Sequence, residues 1–397
     1  MSTIFSTWMA PVWLFGVTLS AVWSDRHRAA VAVPLLGTLP GPLAGTLPTA
    51  VGSMPGAPML VRRVLMGAQL LLPLLALVAT RGHLAFAALA TAGVIAAGMV
   101  RGTSRTASIY LGASGLLWGV AGLGVYVSSP AGTLAASLLA IALHCGLFPL
   151  HAGVAAMSEH RASRQLQQLA VLPIAAFVHM RFADNSPLAH DLAPALVVIG
   201  AASTLLFALV ALSARRDMRR LYSASVLMHG GMLFAAVGAA ARGHHAAAVL
   251  VAVTMVLALT GFSVMVTALE SRVGYGDLTE FAGRARAFPR LAAALAFFGG
   301  AAVGLPGTAG FVADDLLLHA LWEESAWSAA TVVVASAVLA VATLATFARV
   351  FFGPPQRHLA PDLLPRERRV VVILMLLLLV LGFVPALLAS PVNALLR

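Results

Sequence analysis

Residues 291–320 read LAAALAFFGGAAVGLPGTAGFVADDLLLHA and form the centre of an apolar stretch that runs from 286 to 322. A membrane helix needs about 20 apolar residues, so this stretch is too long for one straight helix. The segment GLPGTAG, at 304–310, lies in its middle. Because glycine and proline interrupt helices, the sequence predicts one membrane helix that is broken near its centre.

Similar apolar stretches recur along the whole chain of 397 residues, which is 60% hydrophobic and only 10% charged. The stretches are far longer than the roughly ten residues of a barrel strand, and they do not alternate. The composition therefore predicts an all-α polytopic membrane protein. Twelve spans are expected, at 4–23, 59–80, 83–101, 107–126, 131–153, 166–180, 188–214, 221–241, 244–270, 286–322, 326–352 and 369–390.

Residues 29–58 are also apolar, but they contain six prolines and five glycines. These residues break a continuous helix, so we expect a loop or re-entrant segment there and not a span. The run before it, from Met1 to Val22, follows no basic segment and has no obvious cleavage site. It is expected to be a retained helix and not a signal peptide.

All 25 basic residues are arginines, and the chain contains no lysine. With the N-terminus outside and twelve spans, twenty arginines collect on one side and four, Arg81, Arg181, Arg242 and Arg397, on the other. The positive-inside rule then makes the arginine-rich side cytoplasmic, in a bacterial-type plasma membrane. The net charge of +11 therefore reflects topology, and no basic stripe interleaved with aromatic residues indicates nucleic-acid binding.

The sequence gives no sign of a catalytic centre or a bound cofactor. It has no glycine-rich dinucleotide or nucleotide loop, and its one cysteine, Cys145, excludes both an intrachain disulfide and a cysteine-ligated iron–sulfur cluster. The histidines lack metal-ligand spacing with other donors. We therefore expect no cofactor and no metal, and any redox chemistry would belong to partner subunits.

Three ordered segments carry a resemblance to a known family. They are HCGLFPLH (144–151), DMRRL (217–221) with HGG (229–231), and GLPGTAGFVADD (304–315) followed by Arg349 and FFG (351–353). In this order they resemble the antiporter-like, proton-translocating membrane subunits of NADH:quinone oxidoreductase, a family shared with Mrp-type cation/proton antiporters. The third segment is most similar to the chain-M type, and the resemblance covers about residues 80–390.

The resemblance implies two inverted repeats of five helices, each containing one broken helix. Glycine and proline placement locates the same two breaks independently, at 146–149 and 304–310. The expected organisation is an N-terminal part at 1–82, a first repeat at 83–180, a second repeat at 188–352, and a C-terminal loop and last helix at 353–397.

The resemblance also assigns roles to particular residues. His144 stands where the family has its central channel lysine, Asp314 where the chain-M type has a carboxylate, and His229 where many members have a histidine. Histidine is a plausible substitute for lysine in a relay because its charge changes near neutral pH, whereas arginine stays charged. The expected proton pathway consists of His144, His151, His229, Asp314, Asp315 and Arg349, with Arg349 balancing the aspartates.

The chain departs from the family pattern at several positions. The span at 83–101 lacks the family's essential glutamate, Leu172 and Ala258 stand where lysines are expected, Thr254 replaces a histidine, and SEHR (158–161) replaces a Pro-Thr-Pro stretch. Two functions therefore remain open. The chain is either a proton-translocating subunit of an oxidoreductase-type complex or a non-pumping scaffold that couples a gradient to a partner, as in an inorganic-carbon uptake or Mrp-type complex.

Each candidate residue also has a structural interpretation. His144 can bind a carbonyl of the broken helix, and His151 can anchor that helix near the cytoplasmic interface. Asp314 and Asp315 follow a break, where carboxylates accept amide hydrogen bonds at a new helix N-terminus. The expected partners are other membrane subunits, the lipid bilayer and protons, with sodium ions as an alternative to protons.

Overall fold

The structure is a computed structural model that describes residue 68 and residues 71–396, except 102–103, 161, 185, 215–216, 275–281 and 355–360. At 158–160, 162–170 and 393–396 it describes the backbone alone. The spans expected at 4–23 and most of 59–80, and the segment at 29–58, lie outside the described residues.

The described residues are helical throughout and contain no β-strand, as the composition predicts. Residues 71–78 are helical and precede a series of longer helices. In chain order these are α1 (Gly82–Val100), α2 (Arg105–Tyr126), α3 (Pro130–Cys145), α4 (Ala152–His160), α5 (Ala162–Phe182), α6 (Pro187–Ser213), α7 (Met218–Ala240), α8 (His245–Val273), α9 (Pro289–Ala302), α10 (Ala309–Glu324), α11 (Ala326–Phe351), α12 (Pro365–Phe383) and α13 (Ala386–Leu396).

The helix starts follow from local sequence. A proline occupies the first position of α3, α6, α9 and α12, where its missing N–H breaks no hydrogen bond. The side chains of Ser104, Ser186, Asp217 and Ser325 cap α2, α6, α7 and α11 by accepting hydrogen bonds from backbone amides. Asp217, part of the DMRRL segment, therefore has a structural role as a helix cap.

Six helices in the described part, α1, α2, α6, α7, α8 and α11, are long and apolar enough to cross a membrane. The pair formed by α12 and α13, with a bend of 66° between them, raises this number to seven if it counts as one span. The protein is thus a polytopic helical membrane protein. The broken helices α3 to α4 and α9 to α10 come in addition, as shorter pieces.

Two sequence expectations were wrong in detail. The basic segment after residue 153 was expected to be a loop, but α4 extends to His160 and α5 begins at Ala162. Its polar residues form helix readily, and they need no apolar character because they lie at the end of a span. The last span, expected as one helix at 369–390, bends between Phe383 and Ala386, where Pro385 cannot continue the hydrogen-bond pattern.

Helices α7 and α8 form the centre of the bundle. All residues of their most apolar windows are buried, whereas only 28% of the window in α1 and 33% of that in α11 are buried. The outer helices therefore keep apolar faces that a bilayer or other membrane subunits can cover. Small residues in α7, including Gly230, Gly231 and Gly238, let the neighbouring helices approach closely.

Polar contacts identify the two ends of the bundle. At one end the Arg242 guanidinium donates to the His190 carbonyl oxygen at 3.2 Å and lies 3.7 Å from the Glu324 carboxylate, which joins the start of α6, the α7–α8 turn and the end of α10. At the other end Arg219 binds Glu270 through two hydrogen bonds of 2.5 and 2.8 Å. We call the first the arginine-poor end and the second the arginine-rich end.

Candidate functional site

The first helix break separates α3 from α4. α3 ends at Cys145, and Gly146 follows with φ of 66°, a left-handed conformation that glycine adopts without strain. The amide of Phe148 inside the break donates to the Ser203 hydroxyl of α6 at 3.2 Å. The break therefore lies where the sequence places it, and a neighbouring helix satisfies one of its amides.

His144 is the penultimate residue of α3 and is buried beside this break. Its Nδ1 lies 2.5 Å from the Ser114 hydroxyl of α2 and 3.3 Å from the Ala140 carbonyl oxygen. The side chain lines a narrow pocket together with Tyr110, Ser114 and Met157. His144 thus has hydroxyl and carbonyl partners, and no carboxylate among the described residues pairs with it.

His151 lies on the other side of the break and does not join His144. Its ring stacks on Phe148 with the centroids 5.9 Å apart and lies 5.4 Å from the ring of Phe207. Its Nδ1 is buried and has no hydrogen-bond partner in the described part of the structure. The aromatic contacts favour an anchoring role for His151, while the unpaired nitrogen leaves one polar atom unsatisfied.

The second break separates α9, which ends at Ala302, from α10, which begins at Ala309. Gly304 in the break has a left-handed φ of 78°, and a Cβ built there would lie 2.8 Å from the Asp314 carboxylate. Asp314 is the sixth residue of α10, past the first turn, so it is not placed to cap the helix. Its carboxylate instead lies against the break.

His229, in the middle of α7, binds two carbonyl oxygens. Its Nδ1 lies 2.7 Å from the Ser225 oxygen, one turn earlier, and its Nε2 lies 2.8 Å from the Ala302 oxygen at the end of α9. A carbonyl oxygen only accepts hydrogen bonds, and a neutral imidazole has a single N–H. Both contacts are hydrogen bonds at once only when His229 carries two protons and a positive charge.

His229 and Asp314 line the same small cavity between α7, α8 and the second break. Thr254 and Ala258 of α8 line it too, at the positions where the family resemblance leads one to expect histidine and lysine. The cavity therefore combines a histidine that can hold an extra proton with a carboxylate. This cavity is the candidate functional site.

The structure does not bring Asp315 and Arg349 into this cavity. The Asp315 side chain is 57% exposed and lies 3.6 Å from the exposed His319 one turn later. The expected ion pair between Arg349 and the aspartates is not among the ion pairs of the described residues. Asp314 precedes the turn at Ser325 by 11 residues and Arg349 follows it by 24, so the antiparallel helices separate the two by about 20 Å along their axes.

Sequence reasoning missed a second buried polar cluster, formed by Ser137, His179 and Asp184. The Ser137 hydroxyl of α3 lies 2.8 Å from Nδ1 of His179 near the end of α5. Nε2 of His179 lies 3.9 Å from the carboxylate of Asp184, in the turn that follows. An ionisable side chain inside an apolar span is the signal that singled out His144, and it applies equally to His179.

Comparison with known sequences agrees with this architecture. The profile of the family described as "NADH:quinone oxidoreductase/Mrp antiporter, TM" matches residues 69–340, which is more than half of the chain. The chain belongs to this family. Its matched segment includes both helix breaks, His144, His229 and Asp314.

Individual members of the NADH:quinone oxidoreductase/Mrp antiporter family show moderate similarity. NADH-quinone oxidoreductase subunit N of Halorhodospira halophila is 27% identical over 272 residues, 65% of this chain and 56% of that protein. NADH-quinone oxidoreductase subunit M of Rhodobacter capsulatus is 26% identical over 196 residues, 49% of this chain and 38% of that protein. The chain thus spans about half the length of the curated relatives it matches.

Solved structures of family complexes have the same fold. A chain of respiratory complex I from Thermus thermophilus superposes with a TM-score of 0.75 at 23% identity, over 85% of this chain and 80% of its own length. A chain of the Mrp complex from Dietzia superposes with a TM-score of 0.63 at 18% identity, over 100% and 96%. At these identities the likeness establishes the fold alone.

Proposed function

We propose that this chain is a proton-translocating, antiporter-like membrane subunit of a larger complex of the NADH:quinone oxidoreductase type. In this proposal it has twelve spans, with inverted five-helix repeats at about 83–180 and 188–352, and its redox chemistry belongs to partner subunits. Family membership supports the proposal, as do the multi-subunit membrane complexes among its structural neighbours.

One observation carries the proposal: His229 and Asp314 face a common cavity at the second helix break. A buried ionisable group within a membrane span is costly and usually serves transport. Here one group can gain a positive charge and the other can lose its negative charge by binding the same proton. A proton that moves between them changes the charge of both sites without any lysine.

The contacts of His229 suggest how proton binding moves the break. With two protons the imidazolium donates to Ser225 on its own helix and to Ala302 at the end of α9. When one proton leaves, the bare nitrogen and the carbonyl oxygen facing it are both acceptors and repel each other. Loss of the proton therefore weakens either the bond within α7 or the bond that holds the end of α9.

His144 has the corresponding place at the first break in this proposal. Its Nδ1 contacts the Ser114 hydroxyl, and both side chains line the pocket beside the break. His144, His229 and Asp314 carry the proton, whereas Asp315 and Arg349 lie outside the cavity and His151 has an anchoring place between aromatic rings. The transported ion in this proposal is the proton, because the imidazole of His229 and the carboxyl group of Asp314 can each bind one.

The test is proton flux in liposomes that contain the complex purified from native membranes. Asp314→Asn removes the titratable group at nearly constant shape, and we expect it to stop proton transport. Asp315→Asn is the matched control, because the adjacent carboxylate is exposed and outside the cavity. Unchanged flux in the Asp314→Asn complex would refute the proposed path.

A second pair of variants tests His144. His144→Ala is expected to abolish coupled transport, whereas His144→Lys restores a group that can cycle a proton and is expected to retain part of it. An equal loss in both variants, with normal assembly, indicates that the site needs the geometry of histidine at Ser114 and not its proton.

The proposed topology has a separate test. A reporter fused near Gly56 and one fused near Thr103 are expected on the same, cytoplasmic face, because 29–58 is proposed not to span. Reporters on opposite faces would contradict the twelve-span arrangement and the orientation with the N-terminus outside.

A non-pumping scaffold is the second candidate, and one observation favours it. α1 contains no acidic residue, and His144 is paired with a hydroxyl and a carbonyl group and not with a charge. His144 therefore has no carboxylate partner in the described part of the first repeat. Identification of the proteins that copurify with the chain distinguishes the two: quinone-module and iron–sulfur proteins support pumping, and a single large soluble partner supports the scaffold.

A further inference from the structure

A buried polar cluster that the proposed path does not use lies near the arginine-poor end of the bundle. It consists of Ser137 on α3, His179 on α5 and Asp184 in the turn between α5 and α6. The side chains of His179 and Asp184 are only 1% and 3% exposed. Three polar side chains from separate parts of the chain thus meet where apolar residues would pack more favourably.

The cluster leaves two polar atoms without partners. Nε2 of His179 and Oδ2 of Asp184 are buried and have no hydrogen-bond partner among the described residues. The closest approach of the two groups is 3.9 Å, from Nε2 to Oδ1, which is too long for a hydrogen bond. Buried polar atoms in native proteins are usually satisfied, so these two atoms point to an exchangeable ligand that occupies the site for part of the time.

The chemistry of the three groups selects the proton as this ligand. Metal binding usually requires at least three suitable donors, and the described residues contain no group of three or more His, Cys, Asp or Glu that could hold a metal ion. Imidazole and carboxylate both take up protons, and serine relays one through its hydroxyl group. Burial also raises the pKa of Asp184 to about 7, which places its proton exchange in the physiological range.

The cluster lies between the arginine-poor end of the bundle and His144. Asp184 is in a turn, two residues beyond α5 and three before α6, so it lies at the end of the bundle. Ser137 and His144 are seven residues apart on α3, which puts them on the same helix face about 10 Å apart. Contacts therefore lead from Asp184 in the turn to His179 and on to Ser137, which lies two helical turns from His144 on α3.

Other charged groups at this end of the packed helices have different contacts. The Arg181 guanidinium lies over the Phe182 ring, the His83 ring packs on Tyr126, and Arg242 pairs with Glu324. No hydrogen bond or ion pair within the described residues joins the cluster to any of the titratable side chains near it, which are Arg81, His83, Arg181, Arg242 and His245. Protonation of the cluster is therefore governed by His179 and Asp184 themselves.

We propose that Ser137, His179 and Asp184 form a proton-binding site that exchanges protons with the aqueous phase at the arginine-poor end and connects it to His144. The role of this site in transport rests on the proposed function, whereas the binding of a proton by the site does not. The step is a simple transfer: the carboxyl group of Asp184 gives its proton to Nε2 of His179, which leaves a carboxylate and an imidazolium. A hydronium ion from the aqueous phase reprotonates the carboxylate, and the imidazolium becomes neutral again by giving its Nδ1 proton to the Ser137 hydroxyl as that hydroxyl passes its own proton on.

Infrared titration of the purified complex tests proton binding directly. We expect protonated carboxyl signals from both Asp184 and Asp314. The Asp184 signal, isolated as the difference between the wild type and Asp184→Asn, is expected to disappear as the pH rises through neutrality and to be retained in Asp184→Glu. Asp191→Asn is the matched control, since Asp191 is exposed at the same end on α6. If the difference between the wild type and Asp184→Asn contains no carboxyl band that titrates near neutrality, the site does not exist as proposed, and the path through His229 and Asp314 is unaffected.

Proton flux in liposomes tests the role of the site. With the pH varied only on the arginine-poor side, we expect wild-type flux to depend on that pH and Asp184→Asn to lose this dependence together with several-fold of its rate. His179→Gln keeps the bond to Ser137 but cannot carry a proton, and it is expected to match Asp184→Asn. If the carboxyl band titrates but Asp184→Asn and His179→Gln both keep wild-type flux, the inference is overturned. If only Asp314→Asn loses flux, the proposed function is upheld and the inference is not.

Discussion

Nε2 of His229 lies 2.8 Å from the carbonyl oxygen of Ala302, the last residue of α9. The next residue of α7, Gly230, packs directly on the carbonyl group of Cys145, the last residue of α3. Two adjacent residues of α7 thus contact the ends of both interrupted helices. A change in the protonation of His229 therefore occurs on the helix that contacts both breaks, next to the residue that packs on α3.

We expect His229→Gln to lower proton flux by about 100-fold, the scale on which a single proton-transfer group contributes. The glutamine amide can still donate hydrogen bonds to the carbonyl oxygens, so the fold is expected to survive, but it cannot take up a proton. His319→Gln is the control, because the His319 side chain is 76% exposed on α10. Equal flux in the two variants would show that His229 only supports the helix break.

Gly230→Ala tests the contact between α7 and α3. A Cβ at this position would overlap the carbonyl group of Cys145, and overpacking of this kind typically lowers the free energy of unfolding by about 1–3 kcal/mol. The buried thiol of Cys145, the single cysteine of the chain, makes a thiol-reactive dye a direct probe of unfolding. We expect the dye to label Cys145 at a lower temperature in Gly230→Ala than in the wild type.

Gly119→Ala on α2 is the control for this substitution. The nearest atom to its new methyl group would be the Ala90 Cβ at 3.8 Å, an ordinary contact. Its stability is expected to equal or exceed that of the wild type, because alanine favours helix over glycine. Destabilisation of the same size in both variants would mean that the α7–α3 contact is not unusually tight.

The stability of Asp184→Asn is expected to depend on pH in a defined direction. Burial raises the pKa of Asp184 from 3.8 to about 7, so the folded chain holds the proton more tightly than the unfolded chain. The wild type is then most stable at low pH and loses stability as the pH rises toward about 7. At 1.36 kcal/mol per pKa unit the loss is at most about 4 kcal/mol.

The Asp184→Asn variant has no carboxyl group at this position, so its stability does not fall as the pH rises toward about 7. Its melting temperature is therefore expected to exceed that of the wild type by an amount that grows between about pH 4 and pH 7 and then stays constant. Thermal unfolding across this range measures the difference, with Asp191→Asn as the control for removing a carboxylate from this end. A constant difference at every pH would contradict the assignment.

Glu367→Gln tests the attachment of α12 to α8. The Glu367 and Arg272 side chains are 0% and 5% exposed and are joined at 2.5 Å, so the substitution leaves a buried guanidinium without its counter-charge. Breaking a buried ion pair from one side costs about 3–5 kcal/mol. Carbonyl oxygens of Pro361 and Asp362 still accept from Arg272, which favours the lower value. Thermal unfolding is the measurement, and Arg368→Gln, at an exposed position on the same helix, is expected to have little effect.

The helices were largely predictable because their signals are local. Apolar stretches, first-turn prolines and capping side chains bracket most of them. The segment GLPGTAG, at 304–310, overlaps the observed gap between Ala302 and Ala309 and extends two residues into α10. The exceptions are also local in origin. The alanines and the methionine of α4 favour helix, so the helix continues through Ser158, Glu159 and His160. The bend after Phe383 depends on a single proline in an otherwise continuous apolar run.

The sequence alone determined that the chain is a polytopic helical membrane protein with two interrupted helices. Together with the family resemblance, it singled out six ionisable residues: His144, His151, His229, Asp314, Asp315 and Arg349. Periodicity, helix breakers and charge are properties of neighbouring residues, and they need no tertiary contact to be recognised. Only the tertiary structure decided which groups meet. It placed His229 with Asp314, separated Arg349 from both aspartates, and joined Ser137 to His179 across 42 positions, because contacts between helices depend on how far along each axis a residue lies.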